Sequence, residues 1–135
     1  MAELKTLKTD EYHKALGRLN ESLAEMAHSP HPIQTRDSAL MRFIFCAELA
    51  AKTAKLLLRE QKIEAPYPKA IYRELQKIGL LSPEKTETAL KMIDDRNRIA
   101  HDYSEEFAEQ LFDRIQNEYA PLFDELSNVY SNEQS

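Results

Sequence analysis

A chain of 135 residues is long enough for one hydrophobic core and short for two, so residues 1–135 read as a single domain. Only two glycines and six prolines, beside 42% hydrophobic and 30% charged residues, favour long helices over many short strands, which makes an all-α fold the expectation. The lone cysteine, Cys46, excludes an internal disulfide and a Cys-based zinc site, and a net charge of −5 argues against a broad electrostatic grip on nucleic acid.

The chain opens without a basic, apolar signal pattern, and its most apolar stretch is broken by Arg42, Glu48, Lys52 and Lys55. No membrane association is expected, and a free thiol suits the cytoplasm. After a short polar lead-in, with residues 1–6 expected to fray, Tyr12, Leu16, Leu19, Leu23 and Met26 line one face of a first helix. The prolines of HSPHPIQT end it. From about Thr35 to Lys62 neither glycine nor proline occurs, and RFIFCAELAAKTAKLLL predicts a long central helix with Cys46 as a core thiol. Glu48, set in that apolar run, either faces solvent or accepts a bond from a buried cation.

PYPKAIYRELQKIGLL predicts a short third helix that starts at Pro68, carries Ile71, Leu75 and Ile78 on one stripe, and stops at a left-handed Gly79. Ser82-Pro83-Glu84 is a cap, a first-position proline and an early acid, and starts a fourth helix that runs into RNRIAHDY. Ser104 caps a fifth, whose apolar positions Phe107, Leu111, Ile115, Tyr119, Leu122 and Leu126 keep helical spacing, with a kink or split expected at Pro121 and fraying over 131–135.

RNRIAHDY, residues 96–103, concentrates the chemistry. On a continuous helix Arg96 and Tyr103 lie within about 20° of each other, whereas His101 is about 140° round from Arg96 and shares a stripe with Asn97. Arg96 and His101 meet only if the helix ends or distorts near His101, or if two copies face each other across a two-fold axis. Arginine supplies a fixed charge and a fork of donors matched to phosphate oxygens. A histidine at a helix end, favoured there as imidazolium, is a proton donor or acceptor near neutral pH. Together, with no cluster of metal ligands, they suit metal-independent RNA cleavage by 2′-hydroxyl attack on phosphorus. A structural account stands beside this one, in which Asp94 pairs with Arg98, Asp95 neutralises Arg96 and His101 caps the helix.

RNRIAHDY also fits the Arg-x4-His-x-Tyr pattern of HEPN domains. DDRNRIAHDYSEE, with RFIFCAELAAK and PYPKAIYRELQKIGLL before it, resembles the nucleotidyltransferase substrate-binding protein family, close to HepT-type toxins. The resemblance spans nearly the whole chain. It implies an antiparallel four- or five-helix up-and-down bundle of HEPN type that forms a homodimer, pairs with a minimal nucleotidyltransferase and acts as a ribonuclease toxin. Carried across, it implies Arg96 and His101 as the catalytic pair, Asn97 as a polar supporter and Tyr103 as the acceptor of AMP from the partner; no metal and no cofactor is implied. The alternative is a non-catalytic nucleotide- or substrate-binding subunit of a two-component nucleotidyltransferase. One departure is Ala50, where relatives are expected to carry an aromatic residue, often tryptophan.

Overall fold

The computed structural model describes residues 2–133. Its elements are α1 (Ala2–Glu25), a single 3-10 turn (Met26–His28), α2 (Pro32–Glu60), α3 (Pro68–Lys77), α4 (Pro83–Arg98), α5 (Glu105–Arg114), a π-helical turn (Ile115–Tyr119) and α6 (Ala120–Asn132), with no strand among the described residues. Side-chain pairings set the directions. Lys5 at the start of α1 bridges to Glu60 at the end of α2, which makes the two long helices an antiparallel hairpin. Arg96 reaches back to Glu48, so α4 runs against α2, and Asp95 with Lys91 pairs onto Arg114 and Glu118 of the next helix. The result is an all-α up-and-down bundle, with α3 as a short extra helix packed on α2 and α4.

Local chemistry accounts for most boundaries. Pro68 and Pro83 occupy first-turn positions, and the Ser82 and Ser104 hydroxyls accept from the amides of Lys85 and Phe107. Gly79 sits at φ +81, with its amide on Gln76 O and that of Leu80 on Leu75 O, the paired bonds of a Schellman stop. Lys62 closes α2 in the same way at φ 62, a conformation that L side chains adopt at a cost of roughly 1 kcal/mol.

Several boundaries differ from the sequence expectation. Residues 2–6 are helical rather than frayed, because Lys5 is buried and donates to Glu133 O at 2.7 Å besides pairing with Glu60. At the other end α6 holds Ser131 and Asn132; residues 134–135 lie outside the described ones. The central helix starts at Pro32, not Thr35, since a proline is well placed in a first turn, and ends at Glu60. The fifth helix is interrupted at Ile115–Tyr119, just ahead of Pro121. Apolar residues spaced by four drift about 40° per step on an α-helix, and the run Phe107, Leu111, Ile115, Tyr119 accumulates about 120°. The wider π turn takes up most of that drift and keeps all four buried.

The core sits between α1, α2, α5 and α6, around Tyr12, Phe43, Tyr119, Phe123 and Tyr130. Phe43 stacks on Tyr119 at 5.6 Å, and Tyr12 meets Tyr130 edge-on at 5.2 Å. Cys46 is fully buried, and burial pushes its thiol well above the usual range. Ala50 is also fully buried, and its carbonyl accepts the Tyr130 hydroxyl at 2.7 Å.

Candidate functional site

The fourth helix ends at Arg98, three residues before His101. Ile99 still bonds to Asp95 O, but the amides of His101 and Asp102 both return to Arg98 O at 2.9 Å, and residues 99–104 leave the helix axis. Arg96 and Tyr103 therefore do not share a helix face, because only Arg96 is on the helix. Arg98 fixes the turn from outside: its guanidinium lies 4.2 Å from the Phe107 ring centroid and pairs with Asp102 at 2.8 Å. Arg98, together with the Ser104 amide, holds the Asp102 carboxyl below its usual range.

Both motif residues that find a partner find it on α2. Arg96, half-buried, donates from Nη2 to Glu48 Oε1 at 2.7 Å, which answers the question Glu48 raised: it is exposed and accepts from a cation. Tyr103, exposed, donates its hydroxyl to Asp37 Oδ1 at 3.0 Å. Partial burial and this bond raise the phenol above its ordinary range. Asp37 is held in turn by Arg36, a residue only 5% exposed, whose guanidinium also forks onto Glu105 at 2.8 and 3.1 Å. Asp37 and Glu48 are eleven residues apart, within about 20° on the helix and about 16 Å along its axis. Met41, Ile44 and Phe45 lie between them, and Met41 and Phe45 are among the exposed large hydrophobic residues.

His101 and Asn97 are exposed. Among the described residues the His101 imidazole has no hydrogen-bond or ion-pair partner, and it is not bonded to Arg96. Asn97 lines a groove of about 560 Å³ with Arg96, Glu48 and Tyr67. The local pairings open to the sequence are not those formed: Asp94 takes Lys69, Arg98 takes Asp102, and buried Asp95 takes Arg114 at 2.7 and 3.0 Å together with the Tyr119 hydroxyl. With Asp95 occupied elsewhere, Arg96 is left to Glu48. Arg36, Asp37, Glu105 and Tyr67 were not anticipated as site residues; the only sequence trace was an Arg-Asp pair in the first turns of α2. No group of three or more His, Cys, Asp or Glu among the described residues is placed to hold a metal ion. No helix among them is long and apolar enough to cross a membrane.

The model for "nucleotidyltransferase substrate binding protein like" sequences matches residues 7–132, nearly the whole chain. The chain belongs to this nucleotidyltransferase substrate-binding-like family. A Thermus thermophilus protein of known crystal structure is 33% identical, with 88% of this chain and 98% of that one covered at a TM-score of 0.79. A tri-AMPylated Shewanella oneidensis HEPN toxin, solved in complex with its MNT antitoxin, superposes at 0.77 over 98% of this chain and 99% of its own with 16% identity. A toxin–antitoxin structure with AMP-PNP gives 0.78 over 96% and 99%, also at 16%. At that identity the shared property is the fold, and this family member has the fold of HEPN toxins. No curated protein matches the sequence.

Proposed function

We propose that this protein is a HEPN-type ribonuclease toxin that works as a homodimer without metal and is paired with a minimal nucleotidyltransferase. The observation that carries the reading is the anchoring of Arg96 and Tyr103 to one face of α2, with exposed Met41 and Phe45 between their anchor points. A second copy packed on that face buries the two apolar side chains and sets two copies of the motif along one seam. His101, unpaired in the single chain, then serves as the acid/base and Arg96 stabilises charge on the phosphate. In the reaction the 2′-hydroxyl loses its proton to the base, its oxygen attacks phosphorus, and the 5′-oxygen leaves with a proton. Asn97 supports the phosphate-binding side. Tyr103, whose hydroxyl points out beside Asp37, is the acceptor for AMP, and its modification places a phosphate among Asp37 and Glu105 next to the seam. The cytoplasm is the expected compartment.

The alternative role, a non-catalytic nucleotide-binding subunit of the nucleotidyltransferase, draws on the family name and on the pairing of Arg96 with Glu48. One experiment separates them. Purified protein is incubated with RNA in chelator, and cleavage that His101→Ala abolishes supports the ribonuclease. Intact RNA, with nucleotide binding that Arg96→Ala removes, supports the binding subunit. Incubation with the cognate nucleotidyltransferase and ATP is expected to raise the intact mass by adenylate units, and Tyr103→Phe to prevent this.

A further inference from the structure

The groove between α2, α3 and α4 has no part in the proton transfers above, although Arg96 and Asn97 form one of its edges. Its floor is apolar, from Ala47 and Ala51 on α2 and Met92 and Ile93 on α4, while Tyr67 and Pro68 close the end at the start of α3. Ala47 and Ala51 are one turn apart, and their small side chains leave the gap between helices open. The volume of about 560 Å³ lies in the range that holds a nucleotide-sized ligand. Tyr67 is 54% exposed at a helix-start position where its side chain makes no capping bond. An exposed ring at the mouth of an apolar slot is a stacking platform for a base.

Charge selects among nucleotide ligands. The groove's two cations, Arg96 and Lys69, each already face a carboxylate, Glu48 and Asp94, both at 2.7 Å, so the four groups sum to zero. A di- or triphosphate would bring several negative charges to two compensated cations and two carboxylates. A phosphodiester brings one. Arg96 spends Nη2 on Glu48, which holds the guanidinium in place, and its remaining N–H donors are enough for one phosphate.

We infer that this groove seats one base of a single-stranded RNA, stacked on Tyr67 over the Ile93 and Met92 floor, with the adjoining phosphodiester on Arg96 and the base edge at the Asn97 amide. The inference rests on the ribonuclease reading for the identity of the strand, and it adds the subsite that holds the nucleotide next to the scissile bond.

The test is fluorescence anisotropy with 5′-fluorescein hexaadenylate RNA and the full chain carrying His101→Ala, so that the probe stays intact. Adding Tyr67→Ala is expected to weaken binding about tenfold or more, in keeping with what one aromatic–base stack contributes, while Tyr67→Trp retains it. Tyr67 is exposed, so helical circular dichroism should be unchanged in both. Unaltered affinity in Tyr67→Ala, no binding of the hexamer, or ATP binding as tightly as the hexamer overturns the subsite. So does a shift from dimer to monomer in light scattering of Tyr67→Ala, which would mean that a second copy covers the groove. Cleavage keeps the two ideas apart. If the parent chain cuts RNA and Tyr67→Ala cuts it equally well, the subsite fails and the ribonuclease stands; if the groove binds RNA through Tyr67 but the parent never cuts, the reverse holds.

Discussion

Asp95→Ala is expected to be among the most destabilising single changes at the edge of the site. Asp95 accepts two bonds from Arg114, at 2.7 and 3.0 Å, and a third from the Tyr119 hydroxyl, and so ties α4 to the π turn. Its removal leaves a guanidinium with 22% of its side chain exposed and a buried phenol without their acceptor. Breaking a buried ion pair from one side costs about 3–5 kcal/mol, and water reaching the rim of Arg114 puts this case near the lower end, about 3 kcal/mol. With an unfolding entropy of roughly 2.1 cal/mol/K per residue, a chain of this length loses about 10 °C of Tm for that energy. Thermal and urea unfolding followed by far-UV circular dichroism measure both quantities. Arg114→Ala should cost a similar amount, and the double variant less than the sum. A Tm within about 3 °C of the parent, or additive single changes, would refute the view that this cluster sets the position of α4 and therefore the aim of Arg96.

Glu48→Gln, by contrast, should change stability by less than about 1 kcal/mol in urea unfolding because the pair is partly exposed, while RNA cleavage falls about tenfold as Arg96 loses its orientation; equal rates would remove Glu48 from the site. Ala50→Trp should cost about 3 kcal/mol or more, since the alanine is fully buried within the core, and parent-like stability would show that the core can open there. Burial raises the phenols of Tyr12, Tyr72 and Tyr130 above the ordinary tyrosine range. A folded pKa above the unfolded one gives stability that is complete below about pH 10 and lost as pH rises beyond it, by up to about 1.4 kcal/mol per pH unit for each group. Tyrosinate absorbance from these three should therefore appear together with the loss of helical signal; ionisation inside an intact fold would contradict their burial.

Signals that are local in the chain were legible before the structure. Ser82-Pro83-Glu84, Ser104 and Gly79 mark helix ends through bonds that span three to five residues, and each does so in the fold. The motif could be located by pattern, but not its partners. Which carboxylate an arginine meets depends on the rotation of one helix against another, so Asp95 found Arg114 nineteen positions away, and the Tyr103–Asp37 and Arg96–Glu48 contacts join residues 66 and 48 positions apart. The anchoring of residues 2–6 was hidden for the same reason, as Lys5 depends on Glu60 and on a carbonyl of Glu133. The π turn left no trace in the pattern, since Phe107, Leu111, Ile115, Tyr119, Leu122 and Leu126 also fall within about 120° on a regular α-helix.

That π turn also limits how the gene can change. An extra residue accommodated between Ile115 and Tyr119 works as a phase shifter, letting α5 and α6 each present its own apolar face to the same core. Deleting one residue there would restore a regular helix with α6 still facing the core, whereas a further insertion would turn everything from Ala120 onward by about 100°, carrying Phe123, Leu126 and Tyr130 out of register with α1 and α2. Substitutions across this segment can be absorbed one side chain at a time. A further insertion cannot, so relatives that share the bundle should vary in sequence here and carry, between the Ser104 cap and Tyr130, this residue count or one fewer.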